Sequence, residues 1–301
     1  MKRWHLYTFF SSFILALALL AGCTTLDEKQ RAWIFQPSDR TWGGGVAAAQ
    51  GMDDVWITFT SKTAPAPEKS VRLHGLWLEA DQPLAIKTSS AAPLASPVKS
   101  DAPVLLYLHG ARYNVTGSAP RIRRMQELGF SVLAIDSRGF GRSTSALPSE
   151  VFAYEDARAA WDWLAEKYPN RPRYIFGHSL GGSIAINLAT EVKDESGTIV
   201  EGAFTSIADV ISSSQWGWVP MSMLITQRFE AVNKVNQIGS PLLVVHGGDD
   251  HLILPDLGRK LFAAAVQPKQ FILVEGGTHH NTNLIGLPQY KEALSQLFSL
   301  K

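Results

Sequence analysis

The stretch from Arg173 to Ala189, Arg-Tyr-Ile-Phe-Gly-His-Ser-Leu-Gly-Gly-Ser-Ile-Ala-Ile-Asn-Leu-Ala, constrains the chain more than any other. A short apolar run ends in a turn crowded with glycine, and a run with helical spacing follows. Ser179 stands at the apex, in Gly177-His178-Ser179-Leu180-Gly181. A serine on so sharp a strand-to-helix turn is strained, and the residues two positions away on either side are pressed against it. Glycine, having no Cβ, fits there without a clash. The helix that follows turns its unpaired N–H groups toward the serine, where negative charge would collect. A chance Gly-x-Ser-x-Gly in a glycine-rich loop would lack the strand before it and the helix after it. Such a serine needs a base, an acid and oxyanion donors from the rest of the chain.

The chain has room for them. At 301 residues and 46% hydrophobic, it holds one large α/β domain or two small ones. A net charge of +1, with no long charged run, gives no electrostatic ground for a nucleic-acid partner. The single cysteine excludes an intrachain disulfide. No internal repeat is visible.

Residues 1–22 read as a targeting segment. Lys2 and Arg3 make a basic start, Phe9 to Leu20 is an apolar run broken by Ser11 and Ser12, and Ala21 and Gly22 close it. The run is short for a transmembrane helix, and no stop-transfer pattern follows. Leu20-Ala21-Gly22-Cys23 resembles the lipobox of bacterial lipoproteins. The resemblance implies cleavage before Cys23 and acylation, as by palmitate, of its thiol. A lipid anchor would thus make the membrane a partner. The alternatives are an uncleaved anchor helix and an ordinary secretory signal with an incidental cysteine. Thr24 stands where an inner-membrane lipoprotein would carry Asp. In a Gram-negative host, the resemblance therefore implies the outer membrane, facing the periplasm.

Residues 23–52 show no clear period and are rich in Gly and Ala, so they read as a tether and an arm lying on the main domain, 53–301. Val55 to Thr60 and Val71 to Leu78 are strand-like, with His74 read as a solvent-facing strand residue. Asp81 to Ala102, rich in Pro, Ser and Ala, reads as a surface loop. Then strands and helices alternate. Val104–Leu108, Phe130–Ile135, Val200–Phe204, Leu242–Val245 and Phe271–Val274 are apolar enough to be buried strands. Between and after them, Pro120–Leu128, Phe152–Tyr168, Leu257–Val266 and Pro288–Leu300 carry helical spacing. This alternation implies right-handed crossovers and a mostly parallel central sheet with helices on both faces.

Catalytic groups in such sheets lie at the carboxyl ends of the strands. There the chain carries His109-Gly110-Ala111, then Ser179, then His246-Gly247-Gly248-Asp249-Asp250, then Glu275-Gly276-Gly277-Thr278-His279-His280. Nucleophile, acid, histidine is the chain order of the α/β-hydrolase triad. The sequence resembles the α/β-hydrolases, and within that fold the serine hydrolase group that includes the serine aminopeptidase-like proteins. The resemblance runs from about Val55 to Leu300. It rests on His109-Gly110, on Asp136-Ser-Arg-Gly-Phe-Gly-Arg-Ser143, on the Gly177–Gly182 turn and on the His246–Asp250 loop.

The resemblance implies Asp250 as the acid, with Asp249 its alternative, and His279 as the base, with His280 its alternative. It implies an oxyanion hole from the N–H groups of Leu180 and Ala111. His109 and His246 read as turn residues behind the site, His178 as packing under the turn, and Asp136, Arg138 and Arg142 as a structural loop. Arg112 and Tyr113 lie near the hole and are candidates for substrate contact. The segment 207–237, with Trp216, Trp218, Met221 and Met223, reads as a short cap or pocket wall for an apolar acyl group. No metal is expected, since His279 and His280 are consecutive rather than about four apart, and nothing calls for a cofactor. The implied activity is cleavage of carboxylic esters of small-molecule or lipid-like acyl substrates through an acyl-enzyme on Ser179. A peptidase, amidase or acyltransferase would use the same residues. A non-catalytic binding protein on this fold would show damage to the triad, and none is visible. The sequence does not indicate an oligomeric state.

Overall fold

The computed structural model describes residues 24–38, 40–65, 69–80, 101–213 and 224–300. The targeting segment, Cys23, residues 81–100 and the centre of the cap segment (214–223) lie outside the described residues.

Two strands, β1 (Asp53–Thr60) and β2 (Ser70–Leu78), begin the sheet as an antiparallel pair. Next come β3 (Val104–Leu108), β4 (Ser131–Ile135), β5 (Arg173–His178), β6 (Gly197–Glu201), β7 (Leu242–Gly247) and β8 (Lys269–Val274). Their order across the sheet is β1-β2-β4-β3-β5-β6-β7-β8. β2 pairs antiparallel with β4, and every pairing from β4 to β8 is parallel. Every residue of β3, β4 and β5 is buried, as their predominantly apolar runs require. Along β3 the side chains alternate: Val104, Leu106 and Leu108 join one core, Leu105 and Tyr107 the other.

Residues 24–35 form helix α1, followed by the short α2 (Gly45–Ala48). The others are α3 (Ala119–Glu127), α4 (Glu150–Lys167), α5 (Leu180–Glu191), α6 (Ile207–Ser212), α7 (Pro255–Ala264), α8 (Thr282–Ile285) and α9 (Leu287–Phe298). One core takes Trp161 and Leu164 of α4, Ile184 and Leu188 of α5 and Leu261 of α7. The other takes Ile122 and Met125 of α3 and Tyr290 and Leu294 of α9. Helices therefore cover both faces. α4 is capped by Ser149, whose side chain accepts the Phe152 N–H.

Three features differ from the sequence reading. Residues 24–35, which show no clear period, are helical and end in the buried Ile34 and Phe35. The strand expected to run to Phe204 stops at Glu201, because Gly202 takes a left-handed backbone with φ +58° and turns the chain. His74 is buried rather than solvent-facing. β2 is paired on both edges, and the His74 ring lies between carboxylates, with Nε2 2.7 Å from Asp54 Oδ1 and Nδ1 3.5 Å from Asp136 Oδ2.

The Asp136–Ser143 loop acts as a tie. Arg138 donates to Asp156 and Glu155 of α4 at 2.8 and 2.6 Å and to Ser61, just past β1, at 3.1 Å.

Candidate active site

The turn from β5 to α5 places Ser179 at φ 56°, ψ −122°, a conformation unfavourable for any residue with a Cβ. Its N–H donates to the Glu201 carbonyl at 2.9 Å, and its carbonyl accepts from Gly182 N–H at 2.9 Å. The flanking glycines are needed because backbone crowds them. A Cβ on Gly177 would sit 2.2 Å from the Gly181 carbonyl oxygen, and one on Gly181 would sit 2.1 Å from that of Leu108, at the end of β3.

Leu180 N–H opens α5, so no carbonyl four residues back takes it. Ala111 N–H, in the loop after β3, likewise has no backbone acceptor among the described residues. The Gly110 carbonyl, in the same peptide as Ala111 N–H, accepts from His109 Nδ1 at 2.7 Å. In a trans peptide this turns the Ala111 N–H the opposite way.

Asp250 is buried after β7, and Asp249 beside it is exposed. Asp250 Oδ1 accepts the N–H groups of Leu252 and Ile253 at 3.0 and 2.8 Å, and Oδ2 accepts from His279 Nδ1 at 2.7 Å. Burial alone would raise the Asp250 pKa. Hydrogen bonding from His246 and His279, the charge of His279 and the Ile253 N–H override it and hold the carboxyl well below the usual range. His246 also donates Nε2–H to the Ile253 carbonyl at 2.9 Å, closing the acid loop from behind. The structure therefore brings Asp250, and not Asp249, to His279. His280 is exposed, its ring 5.3 Å from that of Trp42.

A second set of contacts holds His279, and the sequence reading missed it. The His279 carbonyl accepts from His178 Nε2 at 3.0 Å and from Arg121 Nη2 at 3.2 Å. Arg121 also donates to the His280 carbonyl at 3.2 Å and, through Nε, to buried Glu201 at 2.9 Å. Tyr290 Oη donates to the other Glu201 oxygen. Glu201 thus serves both loops: its carbonyl takes the Ser179 N–H, and its carboxylate holds the arginine that holds His279. In the sequence, Arg121 is one of three arginines in the helical span Pro120–Leu128. A carboxylate inside an expected buried strand was the available signal.

Ser179 and His279 line one cavity of about 680 Å³. Its apolar lining includes Ile34, Leu180, Phe204 and Ile253, with Ile207 and Val210 from α6. The lining also carries Trp42, Arg112, Tyr113, Arg121, Arg124 and His280. Among the described residues no Asp or Glu lines it. A serine on a strained turn, a buried imidazole–carboxylate pair and two unspent N–H groups suit acyl transfer to and from the serine.

Fold and site together define the class: the chain has the α/β-hydrolase fold. Residues 99–229 match the family model described as serine aminopeptidase, S33. Over 185 residues the chain is 31% identical to an uncharacterized protein of Mycobacterium tuberculosis, a match covering 61% of this chain and 65% of that protein. Over 215 residues it is 31% identical to the lysophosphatidylserine lipase ABHD12 of Danio rerio, covering 65% of this chain and 54% of that protein. The chain thus spans less than two thirds of the length of these relatives. Among solved structures, an esterase of Pyrococcus furiosus superposes with a TM-score of 0.62 at 20% identity, covering 87% of this chain and 98% of that one. The esterase domain of a Rhodothermus marinus protein gives 0.54 at 21% identity, covering 81% and 97%. At these identities the structural likeness carries the fold.

Proposed function

We propose that the chain is a serine hydrolase that cleaves carboxylic esters through an acyl-enzyme on Ser179. The observation that carries this reading is the 2.7 Å contact of His279 Nδ1 with buried Asp250, at the cavity Ser179 lines. Ser179 Oγ attacks the acyl carbon while His279 takes its proton, and the carbonyl oxygen becomes an oxyanion held by Leu180 and Ala111 N–H. The tetrahedral adduct collapses, breaking the bond to the alcohol, which leaves with the proton from His279. Water, deprotonated by His279, then attacks the acyl-enzyme and frees the acid and Ser179. Asp250 fixes the His279 tautomer and stabilises the imidazolium.

The apolar residues of the cavity lining suit an acyl chain. Relatives named lysophosphatidylserine lipases and structural neighbours described as esterases favour an ester over a peptide. A serine peptidase is the second reading, favoured by the description of the matched family model.

A fluorophosphonate probe should label Ser179 in folded protein, and Ser179→Ala should abolish the label. Esters of p-nitrophenol should turn over faster as the acyl chain lengthens, beside weak cleavage of aminopeptidase substrates. His279→Ala and Asp250→Asn should lower kcat roughly ten-thousand-fold or more, with Asp249→Asn near the native rate. Absence of labelling in folded protein overturns the reading.

The same proposal anchors the chain to a membrane through acylated Cys23, in the outer membrane facing the periplasm if the host is Gram-negative. The Leu20–Cys23 sequence supports this. Among the described residues, no helix is long and apolar enough to cross a membrane. Cys23→Ser, or globomycin, should leave an unprocessed precursor. Normal processing of the Ser variant overturns the anchor.

A further inference from the structure

Arg112 and Tyr113 follow Ala111, and both carry left-handed backbone, φ 71° and 58°. Consecutive side-chain-bearing residues rarely hold this conformation, and it persists only where the surroundings enforce it. Here the N-terminal arm does so. The Phe35 carbonyl accepts the Arg112 N–H at 2.9 Å, and the Trp42 ring meets Tyr113 edge-on at 5.1 Å. Both side chains thereby line the cavity beside the Ala111 N–H.

The charge in that part of the cavity is unbalanced. Arg121 is matched by Glu201 at 2.9 Å. The Arg112 guanidinium has no hydrogen-bond or ion-pair partner among the described residues. Arg124 Nη1 reaches the Pro120 carbonyl and Asn283 Oδ1, at 3.2 and 3.1 Å, both neutral. Burial, then the neighbouring Arg121 charge, lowers the Arg124 pKa, outweighing the opposing charges of Glu127 and Glu201, neither of which forms an ion pair with it among the described residues.

We propose that Arg112 and Arg124 form an anion subsite that takes a phosphate or carboxylate on the alcohol portion of the ester. This rests on the ester-hydrolase reading and adds the chemistry of the leaving group. The substrate then lies across Ser179, its acyl chain against Ile34, Phe204 and Val210 and its anionic end among the arginines. Guanidinium groups suit this because their planar N–H pairs meet phosphate and carboxylate oxygens in parallel. An anion there also supplies the counter-charge that the cavity lining lacks.

The test compares octanoyl esters of glycerol phosphate, of a hydroxycarboxylate and of neutral glycerol, all kept below their aggregation thresholds. The native chain should favour at least one charged ester over the neutral one by about tenfold or more in kcat/KM, and which one identifies the anion. The Arg112→Gln and Arg124→Gln variants should each cut that ratio several-fold, and together should bring it near one. Equal rates for all three esters, or an unchanged ratio in the double variant, overturns the subsite. A second measurement needs no turnover. Octyl phosphate should bind Ser179→Ala in a calorimeter, more weakly at high salt, and binding should be lost when both arginines are replaced. No binding to Ser179→Ala overturns the subsite, whereas binding without hydrolysis of any ester would instead count against the ester-hydrolase reading.

Discussion

At Gly181 a single methyl group would stand 2.1 Å from the Leu108 carbonyl oxygen, a backbone atom with no freedom to swing aside. Gly181→Ala must therefore push α5 away from β3, carrying the Leu180 N–H with it. Overpacking of this kind costs about 1–3 kcal/mol or more. Urea unfolding should show that loss, and the rate of fluorophosphonate labelling should fall with it. Asp250 makes a different prediction, set by its titration. Its folded pKa lies below the roughly 3.9 of an unfolded aspartate. The ionised form therefore stabilises the fold above the unfolded pKa, and this is lost as pH falls through the folded value. Asp250→Asn should melt well below the native chain at neutral pH, with the gap narrowing below about pH 4. A gap constant down to the lowest pH that keeps the chain soluble would refute this account.

Between elements, the ties that matter run through buried charge. Arg121 on α3 joins the end of β6, through Glu201, to the loop after β8, through the His279 and His280 carbonyls. Arg121→Met strips those carbonyls of a donor and leaves Glu201 buried with Tyr290 as its remaining hydrogen-bond donor. Breaking a buried pair from one side costs about 3–5 kcal/mol. Adding Glu201→Gln should restore part of it, and a double-mutant cycle by chemical denaturation reads the coupling. This tie also shows what a sequence can reveal. β3, β4 and β5 were legible nearly to the residue, because strands buried on both faces keep their polar residues (Ser131, Arg173, His178) to the ends of an apolar run. The serine turn was legible because crowding at Gly177 and Gly181 permits no other residue type. β6 was misjudged at its end because the left-handed turn at Gly202 is set by the packing around it, and the partners of buried Glu201 lie 80 and 89 residues away, which no local pattern records. His74 was misjudged likewise, since Asp54 and Asp136 reach it from other elements. The Asp249–Asp250 and His279–His280 doublets stayed open on residues alone, because neighbours of one type differ in burial, and burial is set by tertiary packing.

For the molecule as a whole, the N-terminal arm joins the candidate site to residues 224–227. Gln30 on α1 exchanges hydrogen bonds with the Leu224 carbonyl and the Thr226 N–H, and Gln227 reaches back to Asp27. At the end of α1, Phe35 is buried against Phe140 and Phe229, ring centroids 6.4 and 5.7 Å apart. Its carbonyl holds the Arg112 N–H. A loose tether would be dispensable, whereas an arm packed this way is part of the core. Phe35→Ala should cost about 3–5 kcal/mol, the usual loss for a buried phenylalanine with partial collapse of the cavity. Phe35→Leu, which keeps most of the apolar volume and the same backbone carbonyl, should cost much less. The ester kinetics should follow the same order, because the loop carrying Ala111 and Arg112 leans on this residue. If Phe35→Ala unfolds at the native urea midpoint, α1 is not coupled to the fold. If it is destabilised while kcat/KM stays native, the arm supports the core without holding the oxyanion loop.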